Sequence, residues 1–187
     1  KPIKYPMAGM TSHEVTLKIY NTVNGEETVV KTEGPADQYL TAITWNPNNE
    51  MIYIGVLNRG QNHIQFNEYN ALNGEYLQTI FEDKDEQYVE PVGPAHFLPN
   101  NTKEFLWLAQ RDGFYHIWKH NTVTKEAKQI TKGDFVITSF EGFDKKGDNV
   151  YYTSTEVSPL ERHYYKHNIK TGKKVKVTKQ HGTHSVA

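Results

Sequence analysis

Cysteine is absent from the 187-residue chain, which excludes disulfide staples, thiolate-bound zinc and cysteine nucleophiles together. No stretch comes near the roughly 18 apolar residues that a membrane-spanning helix needs. The opening residues, Lys1-Pro2-Ile3-Lys4-Tyr5-Pro6, contain no apolar signal core and no initiator methionine. They read as a segment of a longer polypeptide whose targeting sequence lies elsewhere. Net charge is lacking too: 21 Lys and Arg against 22 Asp and Glu leave −1. No long-range field therefore draws nucleic acid or an acidic membrane. Hydrophobic residues are sparse at 36%, but 12 Tyr, 8 Phe and 3 Trp offset the deficit. Aromatic content that high argues against disorder and suits strands with one wet edge. The length suffices for one sizeable domain and not for two well-packed ones.

What the chain does have is a repeat. Four times an apolar strand runs into a similar hairpin: Tyr20-Asn21-Thr22-Val23-Asn24-Gly25, Tyr69-Asn70-Ala71-Leu72-Asn73-Gly74, His120-Asn121-Thr122-Val123-Thr124-Lys125 and His167-Asn168-Ile169-Lys170-Thr171-Gly172. The asparagines are 49, 51 and 47 residues apart. A period of that length, built of strands and turns, predicts four-stranded β-propeller blades. The fold class expected is all-β: a partial propeller of about three complete antiparallel blades plus part of another. Blades are expected at about 12–34 (partial), 40–82, 93–133 and 135–180, all within one propeller fragment covering 1–187.

In the partial blade Val15 to Tyr20 alternates, Asn24-Gly25 makes a tight turn and Thr28-Val29-Val30 returns. An Asn-Gly pair between alternating strands is a strong short-range hairpin signal, because both residues tolerate positive φ. The next blade reads Leu40 to Trp45, Met51 to Leu57, His63 to Tyr69 and Tyr76 to Phe81; the one after reads Ala95 to Leu98, Phe105 to Ala109, Tyr115 to Lys119 and Ala127 to Thr131. Pro47 and Pro99 lie 52 apart, as do Arg59 and Arg111, so the match extends to the inner strands. The last blade reads Phe135 to Phe143, Val150 to Thr153, His163 to His167 and Val175 to Thr178. The tail from Gly182 has the makings of a further inner strand. Open first and last blade faces would be apolar and favour self-association.

Several constellations invite chemistry. A Gly-x-Ser-x-Gly elbow would expose a nucleophile on a sharp turn; Ser12, Ser139, Ser154, Ser158 and Ser185 all lack that frame. His116 and His120 are four apart, as are His163 and His167. On a helix that spacing serves one metal, but four strand residues span about 13 Å, so repeated structural positions are the simpler reading. The acidic run Glu82, Asp83, Asp85 and Glu86 fails the EF-hand frame, with Tyr88 at the sixth position and Pro94 at the twelfth. It is expected to be a solvated inter-blade loop. Lys170, Lys173, Lys174, Lys176 and Lys179 mark a basic outer strand that discourages edge pairing. No inner-strand carboxylates or histidines recur across blades, which disfavours a central metal, and no cofactor is implied.

Loops remain. Asn58 to Asn62 and Gln110 to Phe114 join second and third strands, and Tyr88 to Pro94 links two blades. Arg59 and Arg111 each have the fork that clamps a carboxylate or carbonyl, and a blade-internal ion pair of Arg111 with Asp112 competes with that role.

At these loops the chain resembles the propeller domain of the dipeptidyl peptidase IV subfamily of the prolyl oligopeptidase family, bacterial members above all. The resemblance rests on Tyr5-Pro6-Met7-Ala8-Gly9, Gln110-Arg111-Asp112-Gly113-Phe114-Tyr115-His116-Ile117, Gln129-Ile130-Thr131-Lys132-Gly133-Asp134 and Tyr151 through His163, in family order. It implies a periplasmic or secreted parent that is a serine exopeptidase, releasing N-terminal dipeptides with proline or alanine second. It implies an α/β-hydrolase domain in the same polypeptide as partner, carrying the catalytic serine, aspartate and histidine. The glutamates that hold the substrate amine would lie upstream of Tyr5; Glu26-Glu27 is a turn dipeptide. This segment would gate and shape the cavity that receives the peptide substrate, with Tyr88, Glu90 and Arg111 as candidate substrate contacts and no catalytic residue of its own. The other class of function is a periplasmic scaffold that binds a protein or glycan with no hydrolase attached.

Overall fold

The computed structural model describes residues 9–185; the Tyr5 to Ala8 part of the resemblance and the last two residues of the tail lie outside them. Fourteen strands and no helix are found among the described residues, in two compact units. Of the described residues, one unit holds 9–45 together with 49–89, the other 46–48 and 90–185.

In the first unit β1 (Lys18–Tyr20) and β2 (Glu27–Val29) form a two-stranded antiparallel sheet. β3 (Tyr39–Trp45), β4 (Met51–Leu57), β5 (His63–Asn70) and β6 (Tyr76–Lys84) form a four-stranded antiparallel sheet in chain order. β4 is apolar at both parities and buried from Ile52 onward, so both of its faces are covered. Ile52, Ile54 and Val56 pack on one face with Val30, Tyr69, Leu17 and Ile19. On the other, Phe66 stacks between Tyr53 and Phe81, with centroids 5.7 and 5.3 Å away. Buried Glu68 has a partner for each oxygen there, the Tyr53 hydroxyl and the Gln78 amide, both at 2.6 Å.

The second unit contains β7 (His96–Phe97), β8 (Glu104–Ala109), β9 (His116–Asn121) and β10 (Ala127–Gln129), then β11 (Ile137–Phe143), β12 (Asn149–Ser154), β13 (His163–Asn168) and β14 (Lys174–Lys176). Each set of four is an antiparallel meander. Leu106 and Ile117 from one sheet share a core with Phe135, Ile137, Val150, Tyr152 and Tyr165 at the other. The architecture is that of a partial β-propeller: three four-stranded blades and half of another.

The paired histidines divide their work. His116 Nδ1 lies 3.2 Å from the Thr131 hydroxyl, which also accepts the Ile117 N–H at 2.9 Å. His163 and Tyr164 use Thr178 in the same way, at 2.9 and 3.1 Å. A side-chain hydroxyl thus takes over where the outer strand stops pairing, which is why β10 and β14 are shorter than expected. The second histidine of each pair packs against a core ring instead, His120 stacked on Phe105 at 5.3 Å and His167 tilted towards Tyr152 at 6.4 Å.

Two local expectations are corrected. The Asn-Gly pairs do not use positive φ at both residues. In all four repeats the leading asparagine accepts the N–H groups two and three residues on, at 2.9–3.4 Å, and only the fourth loop residue takes positive φ. That is a four-residue loop closed by an asparagine side chain. The acidic run is also partly strand: β6 continues to Lys84, and Glu82 accepts from His63 (2.8 Å) and Gln65 (3.1 Å).

Candidate functional site

The strand-connecting loops hold the arginines, and the structure gives each a different setting. In the first unit the loop after β4 braces itself. Asn58 Oδ1 accepts the N–H groups of Asn62 and His63 at 3.0 and 3.1 Å, and Asn58 Nδ2 donates to Asn62 Oδ1 at 2.8 Å. Arg59 at its tip donates from Nη1 to the Tyr39 hydroxyl, with its guanidinium 5.2 Å above the Tyr39 ring. The connector leaving β6 is tied to the same loop, since Val89 N–H donates to Gln61 O at 2.7 Å and Asp85 N–H to Asn62 O at 3.0 Å. Tyr88 precedes the first of these anchors and stays 54% exposed, so its ring is available at a fixed place in the loop cluster.

In the second unit Glu90 meets Tyr115, whose hydroxyl lies 3.4 Å from the Glu90 carbonyl and 3.3 Å from Oε2. Tyr115 directly follows the loop that carries Arg111, so Glu90 and that loop are linked. Arg111 turns towards β9: Nη1 lies 3.1 Å from His120 Nε2 and its guanidinium 4.9 Å above Trp118. Arginine only donates, so Nε2 of His120 is the unprotonated nitrogen. Burial, helped by the Arg111 charge, pushes the His120 pKa down to about 3. Asp112 accepts from Gln129 at 2.5 Å. Arg162, in the corresponding loop after β12, caps the carbonyls of Pro159 and Glu161 at 2.8 and 2.9 Å.

Of the sequence candidates, Glu90 and the Arg111 loop are brought together, while Tyr88 belongs to the other unit. Sequence reasoning passed over Tyr115, Tyr39 and Trp118. The signal for the last two was an aromatic within reach of each loop arginine, but their distances along the chain differ, so the 52-residue offset does not find them. Chemically the loops offer guanidinium forks, phenolic hydroxyls and carboxylates on braced backbone. That set suits recognition of a peptide; among these loop residues there is no nucleophile paired with a base.

A model of the dipeptidyl peptidase IV (DPP IV) N-terminal region matches residues 1–187. A protein from Bacteroides ovatus assigned as a dipeptidyl aminopeptidase IV superposes with a TM-score of 0.86 at 33% identity, over 92% of this chain and 27% of that one. Dipeptidyl peptidase 4 of Porphyromonas gingivalis gives 0.84 at 28% identity, over 96% of this chain and 25% of that one. Dipeptidyl peptidase 4 of Felis catus is 29% identical over 183 residues, 88% of this chain and 24% of its own length. The chain therefore spans about a quarter of the length of these relatives.

Proposed function

Because the chain belongs to the dipeptidyl peptidase IV N-terminal region family, we propose that it is the non-catalytic propeller portion of a serine exopeptidase that removes N-terminal dipeptides with proline or alanine second. The observation that carries this is the match of the family model to all of residues 1–187. The sequence has no Gly-x-Ser-x-Gly frame, so the chemistry is assigned to an α/β-hydrolase domain elsewhere in the same polypeptide.

In this reading the segment gates and shapes the substrate cavity. Support comes from how firmly its loops are held. The Asn58 braces, the Val89 tether and the Tyr115–Glu90 contact fix backbone that would otherwise move. A preorganised wall orients a peptide and excludes water without losing binding energy to its own ordering. Tyr88, Glu90 and Arg111 are the proposed contributors.

The test is hydrolysis of Gly-Pro-p-nitroanilide by the full-length polypeptide and by the 187-residue chain in parallel. Turnover is expected from the full-length protein only. Inhibitor-sensitive turnover by the chain alone would refute the non-catalytic assignment. No turnover by either would replace the peptidase with a binding scaffold.

A further inference from the structure

Within the first unit Arg59 lines a pocket of about 490 Å³ together with Met10, Thr11, Ser12, Glu14 and Asp37. Among the described residues the guanidinium has one partner, Tyr39, which engages Nη1 and the ring face. Nε and Nη2, the edge that binds a carboxylate through two parallel hydrogen bonds, have no acceptor among the described residues. Glu14 and Asp37 line the same pocket without an ion pair to Arg59 or to any other described residue. The side-chain hydroxyls of Thr11 and Ser12 likewise have no partner among the described residues. Charges of both signs thus share one concavity without forming an ion pair among the described residues. The loop bearing Arg59 is braced, so little order is lost when a ligand binds.

We propose that this pocket is a binding site for a peptide carboxylate, taken by the free edge of Arg59. The mixed rim selects the ligand class. A phosphate dianion would meet two carboxylates and has few hydrogens to offer them. A peptide carboxylate brings a single charge for Arg59, and the amide N–H groups beside it donate to Glu14, Asp37 or the hydroxyls. Tyr39 acts as a positioning residue, since its hydroxyl and ring set the plane of the fork. Arg111 cannot serve the same purpose, because its guanidinium is drawn onto Trp118 and His120. The site stands on this geometry and does not depend on peptidase activity.

The carboxylate has two sources in a peptide, a Glu or Asp side chain and the C-terminus, and two probe pairs separate them. One pair is N-acetyl-Ala-Ala-Glu-Ala-amide and its Gln counterpart; the other is N-acetyl-Ala-Ala-Ala with a free or an amidated C-terminus. The acetyl group removes the free amine that an exopeptidase requires, so the full-length protein can be used by calorimetry or by NMR. For at least one pair the carboxylate form should bind with a Kd on the order of 1 mM and about tenfold more tightly than its neutral partner. Arg59→Ala should abolish that tenfold preference, while Arg59→Lys keeps part of it as a point charge without the fork. Arg59 is exposed, so an unchanged melting temperature for both variants confirms that folding is intact. Equal affinity for both members of each pair, a preference that survives Arg59→Ala, or no saturable binding would overturn the proposal. Gly-Pro-p-nitroanilide turnover is read separately. A protein that binds these probes yet cleaves nothing refutes the peptidase reading alone, and one that cleaves but ignores them refutes this site alone.

Discussion

Gly74→Ala should destabilise the protein by about 3–4 kcal/mol, and Gly172→Ala by only about 1 kcal/mol, although the two glycines hold the same place in the repeat. Both close an asparagine loop and both have φ +73. A left-handed conformation costs alanine roughly 1–2 kcal/mol wherever it occurs. The third repeat accepts that cost, with Lys125 at φ 59. What differs is the neighbour. A Cβ on Gly172 meets nothing within 4 Å, whereas on Gly74 it would lie 2.0 Å from the Val29 carbonyl oxygen and 2.9 Å from its carbon. Backbone is the obstacle, and backbone cannot rotate aside as a side chain can. The turn is also bound to that stretch: Lys31 N–H donates to Gly74 O at 2.8 Å, Thr28 Oγ1 to Leu72 O at 3.2 Å, and Lys31 pairs with Glu75. Moving the turn away from Val29 would break these bonds as well. Urea unfolding of both variants is the check, read as a shift in midpoint at unchanged slope. Equal shifts for the two glycines would mean that the close approach at Val29 does not exist.

Acid should destabilise the protein steeply from about pH 6.5 downward, well before the carboxylates titrate. Unfolded histidine takes a proton near its ordinary value of about 6.5. Folded His120 does so only at about 3, held down by burial and then by Arg111. Burial also lowers His96 and His167, the latter with help from Lys174. Between the two values the unfolded state binds more protons than the folded state, so stability is fully present above pH 6.5 and falls as pH falls towards 3. For His120 the slope is about 1.4 kcal/mol per pH unit, and its contribution reaches on the order of 4 kcal/mol. Glu82 adds to the loss at the lower end. Its hydrogen bonds from His63, Gln65 and Lys84 bring its pKa to about 2, so its contribution is present above the ordinary carboxylate range and disappears as pH falls through about 2. His120→Phe keeps the stack on Phe105 and removes the proton site. Its stability between pH 6 and 4 should lose about one proton's worth of slope. A variant with the same pH dependence as the original chain would show that His120 is not held neutral.

The hairpins were legible because their chemistry is local. Asn21, Asn70, Asn121 and Asn168 each close their own loop with their own side chain, so a few residues determine the outcome. The buried course of β4 was legible from its unbroken apolar run. The turn type was not, since Asn24 and Asn73 look equally fit for positive φ until the leading asparagine is seen to take the neighbouring N–H groups. The reach of β6 was missed because Glu82 and Asp83 read as loop; a strand position for Glu82 depends on His63 and Gln65 across the sheet. The candidate site was harder still. Arg59 and Arg111 look interchangeable at a spacing of 52 residues. Tyr39, from the first strand of its blade, and Trp118, from the third, decide that one keeps an open edge and the other is drawn into its sheet.

The meander order of the sheets has a kinetic consequence. Among the described residues every strand pairs only with its neighbours in the chain, so each sheet grows by short loop closures and waits for no distant segment. During synthesis the β3–β6 sheet has all of its pairing partners as soon as Lys84 has emerged. Ribosome-stalled chains that expose residues to just past Val89 should already resist protease across β4 and β5, whereas chains that stop before Tyr76 should not. Growth from the ribosome would then proceed blade by blade, each new meander settling before the next has been translated.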